Sequence, residues 1–99
     1  MGRRNDFLDR YRYLYQHQED NQHEYKVFKK VIQKMLDHFV IEDKVHNTNH
    51  FSIIYDLYIN AKVIELETIA VTHFIDVRTL ERYRLKYEKY AKVFKEDIE

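Results

Sequence analysis

Ninety-nine residues, 44% hydrophobic and 15% aromatic, can build one modest core but not two, so residues 1–99 are read as a single helical domain. One glycine, Gly2, and no proline remove the residues on which β-turns and helix breaks usually depend, which argues against a β fold and predicts an all-α chain. The absence of cysteine excludes disulfides, thiolate metal sites and a cysteine nucleophile. The balance of 17 Lys and Arg against 17 Asp and Glu argues against the uniformly basic surface of a strong nonspecific nucleic-acid binder.

From Phe7 the seam positions recur at spacings of four and three: Phe7, Tyr11, Leu14, Gln18, Asn21, Tyr25, Phe28, Ile32, Met35 and Phe39. This heptad phase predicts one long helix over 7–39, with a solvated waist at Gln18 and Asn21. The alternative is two helices meeting at a break near Asp20 and Asn21. Such a seam also permits a coiled coil between two chains. Val40 to Asn49 loses the period and gathers Glu42, Asp43, Asn47, Thr48 and Asn49, any of which can accept from the free amides of a helix start. That stretch is read as the main connection. A second helix follows over 50–61, with Phe51, Ile54, Tyr55 and Tyr58 on one face. Two more are expected over 66–73 and 77–95, and Glu96 to Glu99 is read as a frayed acidic tail. The fold class expected is therefore a long N-terminal helix followed by a three-helix unit. No apolar run approaches a bilayer span, and the start of the chain lacks a signal-peptide core, so no membrane association and a cytoplasmic location are expected.

The functional signal lies in the last third. Between Asp76 and Lys95 stand seven Lys or Arg against three acids, whereas Phe51 to Ile75 carries one Lys and three acids. A helix-turn-helix needs a small residue where two helices cross, apolar residues to hold the crossing, and a polar cap on the second helix. Ala70 can be the small residue. Leu66, Ile69, Ile75, Leu80 and Tyr83 fall at inward positions, and Asp76 can cap the helix beginning at Val77. Val77, Arg78, Glu81 and Arg82 then point outward as base-reading candidates: arginine can grip guanine, and valine can touch a thymine methyl. Thr79, Arg84, Lys86 and Lys89 are the phosphate-contact candidates. Beyond the motif the same helix carries a seam of Tyr87, Tyr90 and Phe94, expected either to pack against the first helix or to join two copies of the chain.

Tyr55 and Tyr58, Ile69-Ala70, and the run Arg78-Thr79-Leu80-Glu81-Arg82-Tyr83 together resemble the sigma-factor region-four type of helix-turn-helix, as in small phage and prophage transcription regulators of Gram-positive bacteria. The resemblance covers about forty residues. It implies a sequence-specific double-stranded DNA-binding regulator of transcription, with RNA polymerase, another regulator or a second copy of the chain as further partners. Two positions depart from the pattern: Phe74 stands where glycine is favoured for positive φ, and His73 stands where a leucine-like residue is usual. The alternative from the residues alone is a helical protein-interaction module or adaptor, working through the first helix at Tyr11, Leu14 or Tyr25. No cofactor or metal is expected. His46 and His50 lie four apart but straddle a loop, and there is no phosphate-binding glycine loop, no serine nucleophile motif and no HExxH, so an enzyme is not expected.

Overall fold

The computed structural model describes residues 7–60 and 62–98, and among them it is all helical with no strand. A 3-10 turn, Phe7–Asp9, leads into α1, Arg10–Gln16. There follow α2, Gln22–His46; α3, His50–Ile54, which widens into a π-helical turn over Tyr55–Ile59; α4, Leu66–Thr72; and α5, Val77–Ile98. No described helix is long and apolar enough to cross a membrane.

The long first helix does not form. The chain breaks at His17 to Asn21, and α1 folds back onto the start of α2, where Tyr11 stacks on Tyr25 with ring centroids 6.2 Å apart and Arg10 Nε meets Glu24 Oε2 at 2.8 Å. Gln16 to Asp20 are all exposed. A straight helix there would have no apolar face to bury, whereas the fold-back carries Leu8 and Leu14 to full burial. The two polar heptad residues complete the turn. Gln18 Nε2 donates to the Tyr15 carbonyl at 2.9 Å, and Asn21 Nδ2 joins the Asp20 amide in donating to the His17 carbonyl, at 3.1 Å. The seam residues Phe28, Ile32, Met35 and Phe39 are buried in their own chain and are not offered to a second copy.

The connection after α2 is shorter than the sequence suggests. α2 persists to His46 despite exposed Ile41 and Val45, because nothing in Val40 to His46 breaks a helix, and it stops at Asn47 in the left-handed region, φ 54°. Asp43, still inside α2, reaches over the corner to cap α3: it accepts from the amides of His50 and Phe51 at 2.8 and 2.9 Å and from the Thr48 hydroxyl at 2.6 Å. Burial works against its ionisation, but these three bonds together outweigh it and hold the carboxyl below the usual aspartate range.

The core lies between α2 and α5, closed at its ends by α3 and α4. Phe39 meets the rings of Tyr87 and Tyr90, each at 5.3 Å, and His38 lies 4.8 Å from Tyr90. Ile53, Ile54, Leu57 and Tyr58 fill the space beneath. Each such side chain stabilises by about 1.5–3 kcal/mol when fully buried, which is how a helix as short as α3 persists. Deep in this layer the Tyr87 hydroxyl and His50 Nδ1 are 2.6 Å apart. Burial pushes the Tyr87 phenol well up, and burial together with the charge of Lys86 holds the His50 imidazole below its ordinary value.

Candidate nucleic-acid interface

The geometry of α4, its turn and α5 begins with a close approach. Ile69 and Ala70 on α4 are 1% and 2% exposed, and Leu80 on α5 is fully buried, so the two helices meet through a methyl and two aliphatic side chains. The amide of Phe74 donates to the Val71 carbonyl at 3.2 Å and that of Ile75 to the Ala70 carbonyl at 3.0 Å, the paired bonds of a Schellman stop. This stop requires a left-handed residue between them, and Phe74 supplies it at φ 58°. Its ring is 95% exposed, so nothing it touches in the chain offsets the backbone cost.

His73 is explained by its partners. Asn49 Nδ2 donates to Nδ1 at 3.3 Å, and Nε2 lies 2.7 Å from Asp56 Oδ2, so the imidazole bridges the loop after α2, the π-turn and the end of α4. The imidazole is thus a polar linchpin among these three segments. Asp76 opens α5 by accepting from the Thr79 amide at 2.7 Å. That bond, the Thr79 hydroxyl, and the charges of Arg82 and Arg78 hold its carboxyl below the ordinary range.

The outward face of α5 begins with Val77, 36% exposed, and continues with exposed Arg78 and Arg82. Neither arginine makes an ion pair among the described residues. Glu81 is drawn to the side: it is half-buried and accepts from Arg84 Nη1 at 2.9 Å. Thr79 is half-buried with its hydroxyl turned to Asp76. Lys86 lays its ammonium 5.7 Å from the Phe39 ring centre, and Lys89 is exposed.

Arg84 requires correction. It is 3% exposed, bonded to Glu81 and 3.8 Å from Asp9 through Nη2, so its guanidinium joins α5 to the start of α1 and is not presented to a phosphate. The periodicity explains why: Leu80, Arg84, Tyr87 and Ala91 share the buried stripe. Glu88 lies beside them and accepts from the Leu8 amide at 2.9 Å. The same arithmetic finds a residue not singled out from sequence. Exposed Lys92 follows Arg78, Arg82, Leu85 and Lys89 at spacings of four and three, extending the outer basic stripe over about 21 Å of helix. Tyr87 is fully buried, and Tyr90 and Phe94 pack half-buried against the core of their own chain.

The histidines four apart part company: His46 Nε2 lies 3.6 Å from Glu42, and His50 faces Tyr87. Among the described residues no group of three His, Asp or Glu side chains is arranged to hold a metal ion. Comparison with known protein families, with curated proteins and with solved structures finds no match.

Proposed function

We propose that α4 and α5 form a helix-turn-helix of the sigma region-four type, and that the protein is a sequence-specific double-stranded DNA-binding regulator of transcription, phage-like in character and acting in the cytoplasm. The observation that carries this reading is the pair Arg78 and Arg82: two exposed guanidinium groups one turn apart at the capped start of α5, with no carboxylate paired to either among the described residues. A forked donor at that place can engage guanine O6 and N7 in the major groove, and Val77 can touch a thymine methyl. Lys89 and Lys92 continue the stripe for phosphates. An overall neutral chain binds weakly through charge alone, so affinity rests on base contacts, on a second copy of the chain bound at a second half-site, or on a protein partner such as RNA polymerase.

Selection from a pool of random duplexes tests the reading. Enrichment of a short G-containing motif, lost with Arg78→Ala or Arg82→Ala while the helical signal is retained, is the expected result. Absence of any enrichment by the wild-type chain would sink it.

A second reading, a protein-interaction module that does not read DNA, is favoured by Phe74, Val71 and Val77, which are 95%, 74% and 36% exposed around the turn. The surface first suggested for such a role is not free: Leu14 is fully buried, and Tyr11 and Tyr25 are half-buried against each other.

A further inference from the structure

A groove of about 310 Å³ lies between α1 and the π-turn, walled by Tyr11, Tyr15, Tyr55 and Tyr58, with Arg12 and Asn60 among its polar groups. Its size falls at the lower end of the range of small-molecule pockets, about 300–1,000 Å³, and its lining has their usual character, mostly aromatic with a few polar groups. The wall is shaped by the π-turn Tyr55–Ile59, an irregularity that recurs at functional sites because the wider turn re-aims side chains and frees carbonyls. Here the carbonyls of Leu57 and Asn60, in and just after the π-turn, hold Arg12: Nε and Nη2 donate to Asn60 at 3.2 and 3.0 Å, and Nη2 also donates to Leu57 at 3.4 Å.

The consequence is a fixed guanidinium with one edge uncommitted. Nη1 has no hydrogen-bond partner among the described residues, and Arg12 makes no ion pair with any described carboxylate. Of the neighbouring charges, Arg10 is paired with Glu24, and Asp9, 3.8 Å from Arg84, acts on Arg12 through its field without forming an ion pair with it. Among the described residues Arg12 is thus the only formally charged side chain lining the groove. Tyr15 and Tyr55, 57% and 46% exposed, present aromatic surface on either side.

We propose that this groove binds a small aromatic carboxylate, its ring held among Tyr11, Tyr15 and Tyr55 and its carboxylate accepting from Arg12 Nη1. Charge complementarity selects the acid, because a half-buried guanidinium favours an anion in hydrogen-bond contact. The tyrosine faces select a flat ring over an aliphatic chain. The site uses α1 and the turn after α3, elements other than the DNA-reading helix, and its occupancy does not depend on the DNA-binding reading.

The test is a titration of the full chain with 4-hydroxyphenylacetate, followed by amide NMR shifts and by calorimetry. Two controls are run beside it: 4-hydroxyphenylacetamide, which keeps the ring and removes the charge, and acetate, which keeps the charge and removes the ring. Shifts centred on Tyr11, Arg12, Tyr15, Tyr55 and Asn60 are expected, with the aromatic acid binding at least about tenfold more tightly than either control. Arg12→Gln should remove that preference, and Tyr15→Ala, a change at an exposed ring, should weaken the acid at least about threefold. Equal binding of acid and amide, equal binding of acetate, or shifts elsewhere on the surface would each overturn the proposal. Because Arg12 also ties α1 to the π-turn, a misfolded Arg12→Gln chain leaves the comparison of acid, amide and acetate on the wild type to decide.

Discussion

Phe74 allows a test in which removing a large aromatic side chain makes the protein more stable. Its backbone sits at φ 58° and its ring is 95% exposed. Holding an L-residue in the left-handed region costs about 1–2 kcal/mol, and a ring so exposed returns almost nothing through burial. Glycine removes the steric cost but loses about 0.4–1 kcal/mol through the extra freedom of its unfolded chain, which leaves Phe74→Gly a net gain of about 0.5–1 kcal/mol. Asparagine tolerates the same region without glycine's entropy, so Phe74→Asn should gain about as much. In a chain of 99 residues, a gain of that size raises the melting temperature by about 2–8 °C and moves the urea midpoint upward by a few tenths of a molar or more. Circular dichroism of the three proteins during thermal and urea unfolding provides the measurement. Destabilisation by both substitutions would mean that the ring packs in solution, or that the turn is not left-handed, and the account of the Schellman stop would be wrong. If the variants are more stable but bind DNA less well, the exposed ring belongs to the binding surface, and its backbone cost is sustained by function.

Four further outcomes are expected. Arg82→Ala should cut specific DNA affinity by about 1–3 kcal/mol with little change in melting temperature; Arg84→Met, in contrast, should destabilise the fold by about 3 kcal/mol while leaving the salt dependence of DNA binding untouched, and a reversed pattern would refute the assignment of the two arginines to outer and inner faces. Lys89→Ala should weaken binding to specific and random duplexes alike and lower the slope of log affinity against log salt by about one; an unchanged slope would remove Lys89 from the phosphate contacts. Tyr87→Phe leaves a buried His50 Nδ1 without its partner and should cost about 1–3 kcal/mol in urea unfolding, and a neutral result would mean that the pair contributes nothing to the core. His50 also sets a pH dependence: its folded value lies below the 6.5 of the unfolded chain, so the unfolded state takes up its proton first. Its contribution is therefore fully present above about pH 6.5 and is lost as pH falls from there through the depressed folded value. Urea midpoints measured between pH 8 and 5 should fall on the acid side, with a smaller fall in His50→Gln, and equal slopes in the two proteins would contradict this.

The helical class was legible because the composition contains so little that breaks a helix, and the positions of α4 and α5 were legible because Ala70 and Asp76 act locally. The break after Gln16 was harder to see. No glycine or proline marks it, and the heptad phase runs across it unbroken, since a hairpin of two helices can preserve the spacing that a straight helix would show. The polar run from Gln16 to Glu24 was the available signal: a helix with no apolar face gains little from staying straight. Asp43 stood among the five candidate acceptors for the helix start, but a local window could not single it out from Asn47, Thr48 and Asn49, because it belongs to the preceding helix and reaches α3 over a tertiary turn. Arg84 was misassigned by its chemistry and recoverable from its period, four after Leu80 and three before Tyr87. The bridge of His73 to Asp56 and Asn49 joins three segments and leaves no mark in any one of them.

The bond between the Leu8 amide and Glu88 spans 80 positions of the chain, and Leu80, Tyr87 and Ala91 close the apolar faces of residues near its beginning. During synthesis, therefore, α1 and α2 emerge without the surface that buries Val31, Met35 and Phe39. At about 5–20 residues per second, they wait on the order of several seconds for α5. Over that interval the nascent chain exposes the apolar face of α2, and a chaperone or a neighbouring nascent chain has time to find it before α5 does.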